Sequence, residues 1–337
     1  MICSNWFKVG NFLVSGYQWV ALEAQAARTR FNSLAPSTKN NIQTHLRAYL
    51  LFSLYFQVPP FPVTLDNILI YHQFLTNSLK APGSSKNYLY GLQTACRFLE
   101  VPCPQLNHFL ITSQLKGAAR SLQHLPHRAR PLTPAILLQL APYVNPQHPY
   151  SVSWWAALLT GFFCFARIAN ILPRSPLSFT PGQDLCRSNF VFYSDCILVN
   201  FNHSKTNQLG DRLLSLPLAP LDSPLCPVQA ITNMFALSPT PPSYPAFSFT
   251  LDHQPFIITQ SQFISTLRSL LTTVGQEPTG FSGHSMRRGG ATLAFSVGVP
   301  SELIKLHGDW ASEAYLTYLE MAPLQRLEVT SKMGEAC

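Results

Sequence analysis

The sequence contains little charge. Asp, Glu, Lys and Arg make up 11% of its 337 residues, against roughly 25% in an average soluble domain. Each charged side chain therefore carries more information than usual. Basic residues outnumber acidic ones, 23 to 15. This sign favours a polyanionic partner such as nucleic acid or a membrane surface.

The sequence also lacks the spacings that mark disulfide frameworks and metal centres. None of its eight cysteines belongs to a CxxC pair, and most lie in apolar runs, as Cys164 does in GFFCFAR. This usage favours a reducing compartment. The ten histidines include no HExxH motif, so we expect neither a metal site nor a cofactor.

No apolar run reaches the ~18 residues that span a bilayer, so we expect no membrane segment. The N-terminus loosely resembles a signal peptide, but Asn11, Ser15 and Gln18 interrupt its apolar part. We therefore expect residues 1–27 to be a leader, poorly ordered and outside the folded unit.

Hydrophobic periodicity predicts four helices in the first third of the chain. The first spans residues 37–56, the second begins after Thr64, the third follows APGSS, and the fourth runs from about residue 107 to 121. Proline-rich turns separate them, because proline lacks the amide donor that a helix needs. Together they predict a compact all-α domain over residues 28–122.

We expect residues 133–322 to form a second domain that contains both helices and strands. Thr133 and a proline after it start a helix, and residues 151–173 indicate a long buried helix or a helix pair. NFVFYSDCILVNF predicts two strands about a Ser-Asp turn, and LLSLPL predicts a third. The fold class is therefore mainly α, with a small antiparallel sheet in an α+β second domain. Residues 323–337 are expected to form a C-terminal tail.

Residues 123–132 are expected to form a basic linker between the two domains. In and just before this segment the chain concentrates four cations: Lys116, Arg120, Arg128 and Arg130. The linker is either simply solvated or laid along phosphates, where each cation releases counterions. The scarcity of charge elsewhere favours the second interpretation.

Two arginines in the second domain need a partner. Arg167 is the only charge in its apolar run, so it must face a carboxylate or an anionic ligand. The residue one turn later is Asn170, which leaves an anionic ligand open. In GHSMRRGG, His284 and Arg287 are three residues apart and would share a helix face. The two glycines that follow suit a close approach by another backbone or by DNA.

Further polar residues complete a possible catalytic set. Lys205 lies in a polar loop between predicted strands, and Trp310 precedes Tyr315 and Tyr318. Arginines can clamp phosphate oxygens, a tyrosine can attack phosphorus, and lysine or histidine can move the protons. These residue types therefore indicate phosphoryl transfer that needs neither metal nor ATP.

These motifs resemble the boxes of the tyrosine recombinases, the integrase family of phages, bacteria and mobile elements. ARIANIL resembles the first arginine box, SKTNQ the lysine loop, GHSMRRGG the His-x-x-Arg box and HGDW the third box. The resemblance assigns catalytic roles to Arg167, Lys205, His284, Arg287, Trp310 and a tyrosine. It covers roughly residues 28–322, and is greatest to recombinases of eukaryotic transposons, the Crypton and DIRS-like groups.

The sequence departs from the family pattern at two places. Asn170 stands where the family usually has glutamate, which buttresses the arginine. Tyr318 follows Trp310 by eight residues and Tyr315 follows it by five; Tyr318 is nearer the family spacing and is the expected nucleophile, with Tyr315 as the fallback. Arg288 would point away from the box on a helix, so we expect it at the surface or on the DNA backbone.

The resemblance implies a SAM-like helical core-binding domain and a catalytic domain that clamp double-stranded DNA. It implies a recombinase that cuts and rejoins DNA through a 3′-phosphotyrosyl intermediate, as a homo-tetramer, in the nucleus. A decayed or domesticated transposon-derived DNA-binding protein is the main alternative, and a type IB topoisomerase-like enzyme is a second. Trapping a covalent protein–DNA adduct would distinguish the active recombinase from the decayed or domesticated DNA-binding protein.

Overall fold

The computed structural model describes residues 8–9, 12–13, 19–122, 128–204, 207, 210, 212–319, 327, 331 and 333. The chain divides into two compact units, Met1–Pro126 and His127–Cys337. Within the described residues it is mainly helical with small antiparallel sheets, as the sequence predicts. No helix in this described part is both long and apolar enough to cross a bilayer.

The described part of the first unit contains one strand pair and five helices. The elements are β1 (Lys8–Val9), β2 (Phe12–Leu13), α1 (Trp19–Asn32), α2 (Pro36–Tyr55), α3 (Leu65–Ser78), α4 (Pro82–Phe98) and α5 (Phe109–Ser121). The four predicted helices are confirmed as α2 to α5. Helix α1 begins inside the span predicted as a leader, and none of its residues is buried. That stretch of the predicted leader is therefore helical.

The core of the first unit follows from the apolar faces of α2, α3 and α4. Tyr49, Tyr71 and Leu92 are each fully buried there. Thr64 caps α3, because its side chain accepts a hydrogen bond from the Asn67 amide at 3.1 Å, as its position in the sequence predicts.

The second unit combines seven helices with two small sheets in the residues that the structure describes. The helices are α6 (Pro134–Leu140), α7 (Pro149–Phe163), α8 (Ile168–Ile171), α9 (Pro227–Leu237), α10 (Gln260–Thr273), α11 (Ser285–Ser296) and α12 (Ser301–His307). The strands are β3 (Phe190–Phe192), β4 (Ile197–Phe201), β5 (Leu214–Leu218), β6 (Ser248–Leu251) and β7 (Gln254–Ile257). A 3₁₀ helix spans Glu313–Thr317.

The three predicted strands form one antiparallel sheet in the order β3-β4-β5. Val199 is paired with Leu216 and with Phe190 across the two ladders, and all three are buried. The β6–β7 hairpin was not predicted. Its turn places Asp252 and His253 at positive φ, 49° and 62°, without the glycine that usually marks such a turn.

The apolar run of residues 151–173 is a helix pair, one of the two predicted forms. Helix α7 is buried along most of its length and ends before Phe165, whose φ is +46°. The chain then turns into the short helix α8, with Arg167 at its N-cap position. The break puts Arg167 at a helix junction and not in the middle of the buried helix.

The second half of the predicted linker packs against the second unit. Arg130 donates its backbone N–H to the Gly280 carbonyl at 2.7 Å, and Leu132 donates to the Ser285 carbonyl at 3.1 Å. Residues 123–127, the first half, lie outside the described residues. So does the predicted tail of residues 323–337, except for helical positions 327, 331 and 333.

Candidate active site

Three segments of the second unit pack together around five of the predicted site residues: Arg167, His284, Arg287, Trp310 and Tyr318. These segments are the break after α7, the start of α11 and the turn after α12. Phe165, Ala291, Ile304, Trp310 and Tyr315 form a small buried cluster there. This apolar cluster packs the three segments that carry the polar side chains against one another.

Arg287 is the most buried charged residue of the site, with 2% of its surface exposed. Its Nη1 donates to the Phe165 carbonyl at 2.5 Å and its Nη2 to the Gly308 carbonyl at 2.7 Å. The guanidinium carbon lies 3.7 Å from the centre of the Trp310 ring, a cation–π contact. The side chain is therefore fixed by two segments, the break after α7 and the turn after α12.

The positive charge of Arg287 is poorly compensated. Burial and then the nearby charge of Arg167 lower the pKa of Arg287 to about 9, against opposing effects of Tyr318 and Asp309. A guanidinium keeps its proton in proteins. The lowered pKa therefore indicates an electrostatic cost that a bound anion would relieve.

Three buried N–H groups around this charge have no hydrogen-bond partner in the part of the chain that the structure describes. They are the Nη1 group of Arg167, the Nε group of Arg287 and the indole Nε1 group of Trp310. Leaving a buried donor unsatisfied costs about 1–3 kcal/mol. Three unsatisfied donors on side chains of one site are the pattern expected where a ligand with several acceptor oxygens binds.

The two candidate tyrosines occupy different environments. Tyr315 is 6% exposed and belongs to the apolar cluster. Tyr318 is partly exposed, and its ring centre lies 5.4 Å from the Arg287 guanidinium carbon, 5.4 Å from the Trp310 ring and 6.3 Å from the His284 ring. Its position therefore favours Tyr318 over Tyr315 as the nucleophile, although the role itself stays a prediction.

The His-x-x-Arg box differs from its expected geometry in one respect. Helix α11 begins at Ser285, so His284 is its N-cap residue and is exposed, whereas Arg287 is buried. The two side chains approach Tyr318 all the same. Arg288 was expected at the surface, but it is 7% exposed; the expectation of a surface position is wrong because α11 is packed on this side as well.

The glycines after the box are explained by close backbone approach. A Cβ on Gly289 would lie 2.0 Å from the Leu132 carbonyl oxygen, and one on Gly290 would lie 2.0 Å from that of Phe162. No side chain fits at such distances. The prediction that a backbone approaches these glycines is confirmed, and that backbone is the protein's own.

The remaining predicted residues have different outcomes. Lys205 lies outside the described residues. Lys116 and Arg120 are exposed on α5 in the first unit. Arg128 and Arg130 are exposed in the second unit, and the Arg130 guanidinium lies 5.2 Å from the Phe281 ring centre. These four positions suit a polyanion, and contact with DNA stays a prediction.

The sequence reasoning missed Asp309. This residue is 8% exposed, accepts a hydrogen bond from Ser204 Oγ at 2.7 Å and forms an ion pair with Arg212. The available signal was the rarity of acidic residues, 15 in the whole chain, combined with its place directly before Trp310. Among the described residues, no group of three His, Cys, Asp or Glu side chains could hold a metal ion.

The sequence matches no protein-family model and no curated protein, whereas the fold matches solved structures. A variant of the Tn1549 transposon integrase, bound to transposon right-end DNA, has a TM-score of 0.57 at 13% identity, over 93% of this chain and 98% of that chain. XerH site-specific recombinase in a post-cleavage complex with difH substrate has a TM-score of 0.56 at 14% identity, over 81% and 70%.

A lambda integrase dimer bound to a core site is also similar, with a TM-score of 0.53 at 13% identity, over 89% of this chain and 94% of that chain. At such identities the likeness establishes the fold alone. Together with the helical first unit and the small antiparallel sheets of the second, it shows that this chain has the recombinase/integrase fold.

Proposed function

We propose that this protein is a site-specific DNA recombinase that cuts and rejoins DNA through a 3′-phosphotyrosyl intermediate at Tyr318. The observation that carries the proposal is the set of three unsatisfied donors, from Arg167, Arg287 and Trp310, on the residues around Tyr318. A phosphodiester has the charge and the acceptor oxygens to satisfy them.

In the proposed reaction, the Tyr318 hydroxyl oxygen attacks a backbone phosphorus and the 5′-oxygen of the next nucleotide leaves. The tyrosine loses its proton as the phosphorus–oxygen bond forms, and the 5′-oxygen gains one as the old bond breaks. His284 and Lys205 are the proposed proton carriers. Attack by a 5′-hydroxyl on the phosphotyrosine reverses these steps and rejoins a strand.

The arginines act on the charge that develops at phosphorus. Arg287 is held by the carbonyls of Phe165 and Gly308, so its free Nε group is aimed before the substrate binds. Fixed donors of this kind stabilise a transition state without reorganising during the reaction. The Trp310 indole N–H is the proposed third donor to a phosphate oxygen.

Binding to the duplex is proposed to rest on phosphate contacts. The exposed cations Lys116, Arg120, Arg128 and Arg130 are the proposed contacts. Arg288 is not proposed as a further contact, because only 7% of its surface is exposed. Affinity should fall steeply with salt, because each neutralised phosphate releases a counterion. Strand exchange would join two DNA sites in a tetramer of this chain.

The proposed setting is a mobile element of a eukaryotic transposon group, Crypton or DIRS-like, acting in the nucleus. The support for this finer assignment is the resemblance of KGAAR, RRGGAT and GDWASEAY. Recovering terminal repeats that flank the encoding gene would supply the substrate. Flanks with no repeats at all would count against the mobile-element setting.

The test is capture of a covalent adduct on nicked duplexes of randomised sequence, which trap the intermediate because the cut end diffuses away. Wild-type protein and Tyr315→Phe should form an adduct that survives denaturation, and Tyr318→Phe should not. Adduct formation by Tyr318→Phe but not Tyr315→Phe would move the nucleophile to Tyr315.

The capture experiment and a plasmid-relaxation assay decide between the alternatives. DNA binding without any adduct would favour a decayed or domesticated DNA-binding protein, an outcome that Asn170 keeps open. Relaxation of supercoiled plasmid by the monomer would favour a topoisomerase-like enzyme. The separate helical unit argues against that second reading.

A further inference from the structure

Asp309 is the centre of a hydrogen-bonded cluster that the proposed mechanism does not use. Its Oδ2 accepts from Ser204 Oγ at 2.7 Å, and its Oδ1 forms an ion pair with Arg212. Ser204 follows β4 and Arg212 precedes β5. One carboxylate therefore ties both ends of the β4–β5 connection to the turn that carries Trp310.

The described residues of this connection also bond to each other. Ser204 Oγ accepts from the Asn207 amide at 3.1 Å. The Asn207 side-chain amide donates to the carbonyls of Asn202 at 2.8 Å and Arg212 at 2.6 Å. These described residues are thus linked by hydrogen bonds to one another, and Asp309 joins them to the segment beside the arginines.

Asp309 also supplies negative charge to the arginine pair. A small cavity is lined by Arg167, Asn170, Arg287 and Asp309 among others. Asp309 is the only carboxylate among the described residues that line it. Its charge raises the pKa of Arg287, in opposition to burial.

We propose that Asp309 is a positioning residue that anchors the β4–β5 connection to the Trp310 turn and gives the arginine pair the negative charge that Asn170 lacks. This inference rests on the proposed recombinase function and deepens it. Ser204, at one end of this anchor, directly precedes the proposed proton carrier Lys205 in the sequence.

The most informative variant is Asp309→Asn. The φ of Asp309 is +54°, a conformation that asparagine also adopts readily, and the amide oxygen can still accept from Ser204. The variant therefore removes the charge with little change of shape. We expect adduct formation at saturating nicked DNA to slow roughly 100-fold, with the dissociation constant for DNA unchanged within about threefold.

Hydrogen exchange gives a readout that does not depend on activity. The Asn207 amide donates to both Ser204 oxygens, and the Ser204 amide donates to the Asn207 carbonyl at 3.2 Å. In Asp309→Asn these amides should exchange faster, while exchange in α10 stays unchanged. A merely destabilised protein would exchange faster throughout the second unit.

Arg212→Met provides a second variant that should fold, because the Arg212 side chain is 52% exposed. This variant should also form the adduct more slowly. The double variant should be no slower than Asp309→Asn alone, because both substitutions break the same ion pair. Arg212→Lys should recover part of the rate. The control is Glu313→Gln, which breaks an ion pair with Lys305 at a side chain 63% exposed and should change neither readout.

Two results would overturn the inference: Asp309→Asn forming adduct at the wild-type rate, or unchanged exchange at Ser204 and Asn207. If wild-type protein forms no adduct, the recombinase proposal fails by itself. The exchange comparison between wild type and Asp309→Asn still decides whether Asp309 anchors the connection.

Discussion

The two units bury different kinds of polar group. Among the described residues of the first unit, the buried polar side chains are uncharged: Ser53, His72, Ser85 and Gln93. Those of the second include Arg187, Arg287, Arg288 and Asp309. A buried charge stabilises a fold only when it is well paired. The buried arginines with unsatisfied donors, such as Arg287, therefore carry an electrostatic cost that the uncharged polar groups of the first unit do not.

The largest expected effect is on the rate of adduct formation, from a substitution in the second unit that should not lower its stability. Arg167→Met removes an unsatisfied donor and a like charge next to Arg287. We expect adduct formation to fall about 1,000-fold, which is about 4 kcal/mol of transition-state stabilisation, while Tm does not fall. Arg174→Met, at an exposed arginine of the same unit, is the control and should leave the rate at saturating DNA unchanged. Unchanged adduct formation by Arg167→Met would remove Arg167 from the proposed site.

In the first unit, stability should change without the chemistry. Leu92 is fully buried among the aromatic side chains of that core, so Leu92→Ala should lower the free energy of unfolding by about 3 kcal/mol. Urea unfolding measures the loss. Leu54→Ala, at a residue 75% exposed, should cost less than about 0.5 kcal/mol. A slower chemical step for folded Leu92→Ala at saturating DNA would contradict the division of roles.

A pair of glycines tests how closely each unit is packed. Gly289→Ala puts a Cβ 2.0 Å from the Leu132 carbonyl oxygen and should cost about 2 kcal/mol, because backbone cannot yield cheaply. Gly117→Ala on α5 meets nothing within 4 Å and should stabilise by up to about 1 kcal/mol, since alanine favours helix. Thermal unfolding of both variants gives the comparison. Equal Tm values would show that the Leu132 segment can move away from α11.

The two units also differ in how much of their secondary structure could be predicted from the sequence. Thr64 and the proline-rich turns mark helix ends through local chemistry, and α2 to α5 begin and end within a few residues of their predicted bounds. The β6–β7 hairpin escaped prediction because Asp252 and His253 take positive φ without glycine. That conformation depends on the strands around it, which periodicity does not reveal.

For the candidate site, the sequence could predict which residues take part but not how deeply they are buried or what they pair with. A buried cation in an apolar run demands an anion, which singled out Arg167, and residue type added Arg287 and Trp310. Tyr318 was preferred to Tyr315 only through the spacing of the family that the sequence resembles. Depth and pairing could not be predicted in this way. The burial of Arg288 and the role of Asp309 both depend on segments far apart in sequence, as the contact of Asp309 with Ser204, 105 residues away, shows.

The smallest expected effect concerns pH in the first unit. Burial lowers the pKa of His72 from its ordinary value, so the folded state keeps this imidazole neutral. As pH falls below about 6.5, the unfolded state takes up the proton first, and stability is lost down to the folded-state pKa. His72→Leu should make the free energy of unfolding less sensitive to acid over this range, as measured by urea unfolding. Ser85→Ala removes the hydroxyl bonded to His72 at 3.3 Å but keeps the imidazole, so it should retain the sensitivity. An equal acid response in His72→Leu and wild type would assign it to other groups, such as His45, whose pKa burial also lowers.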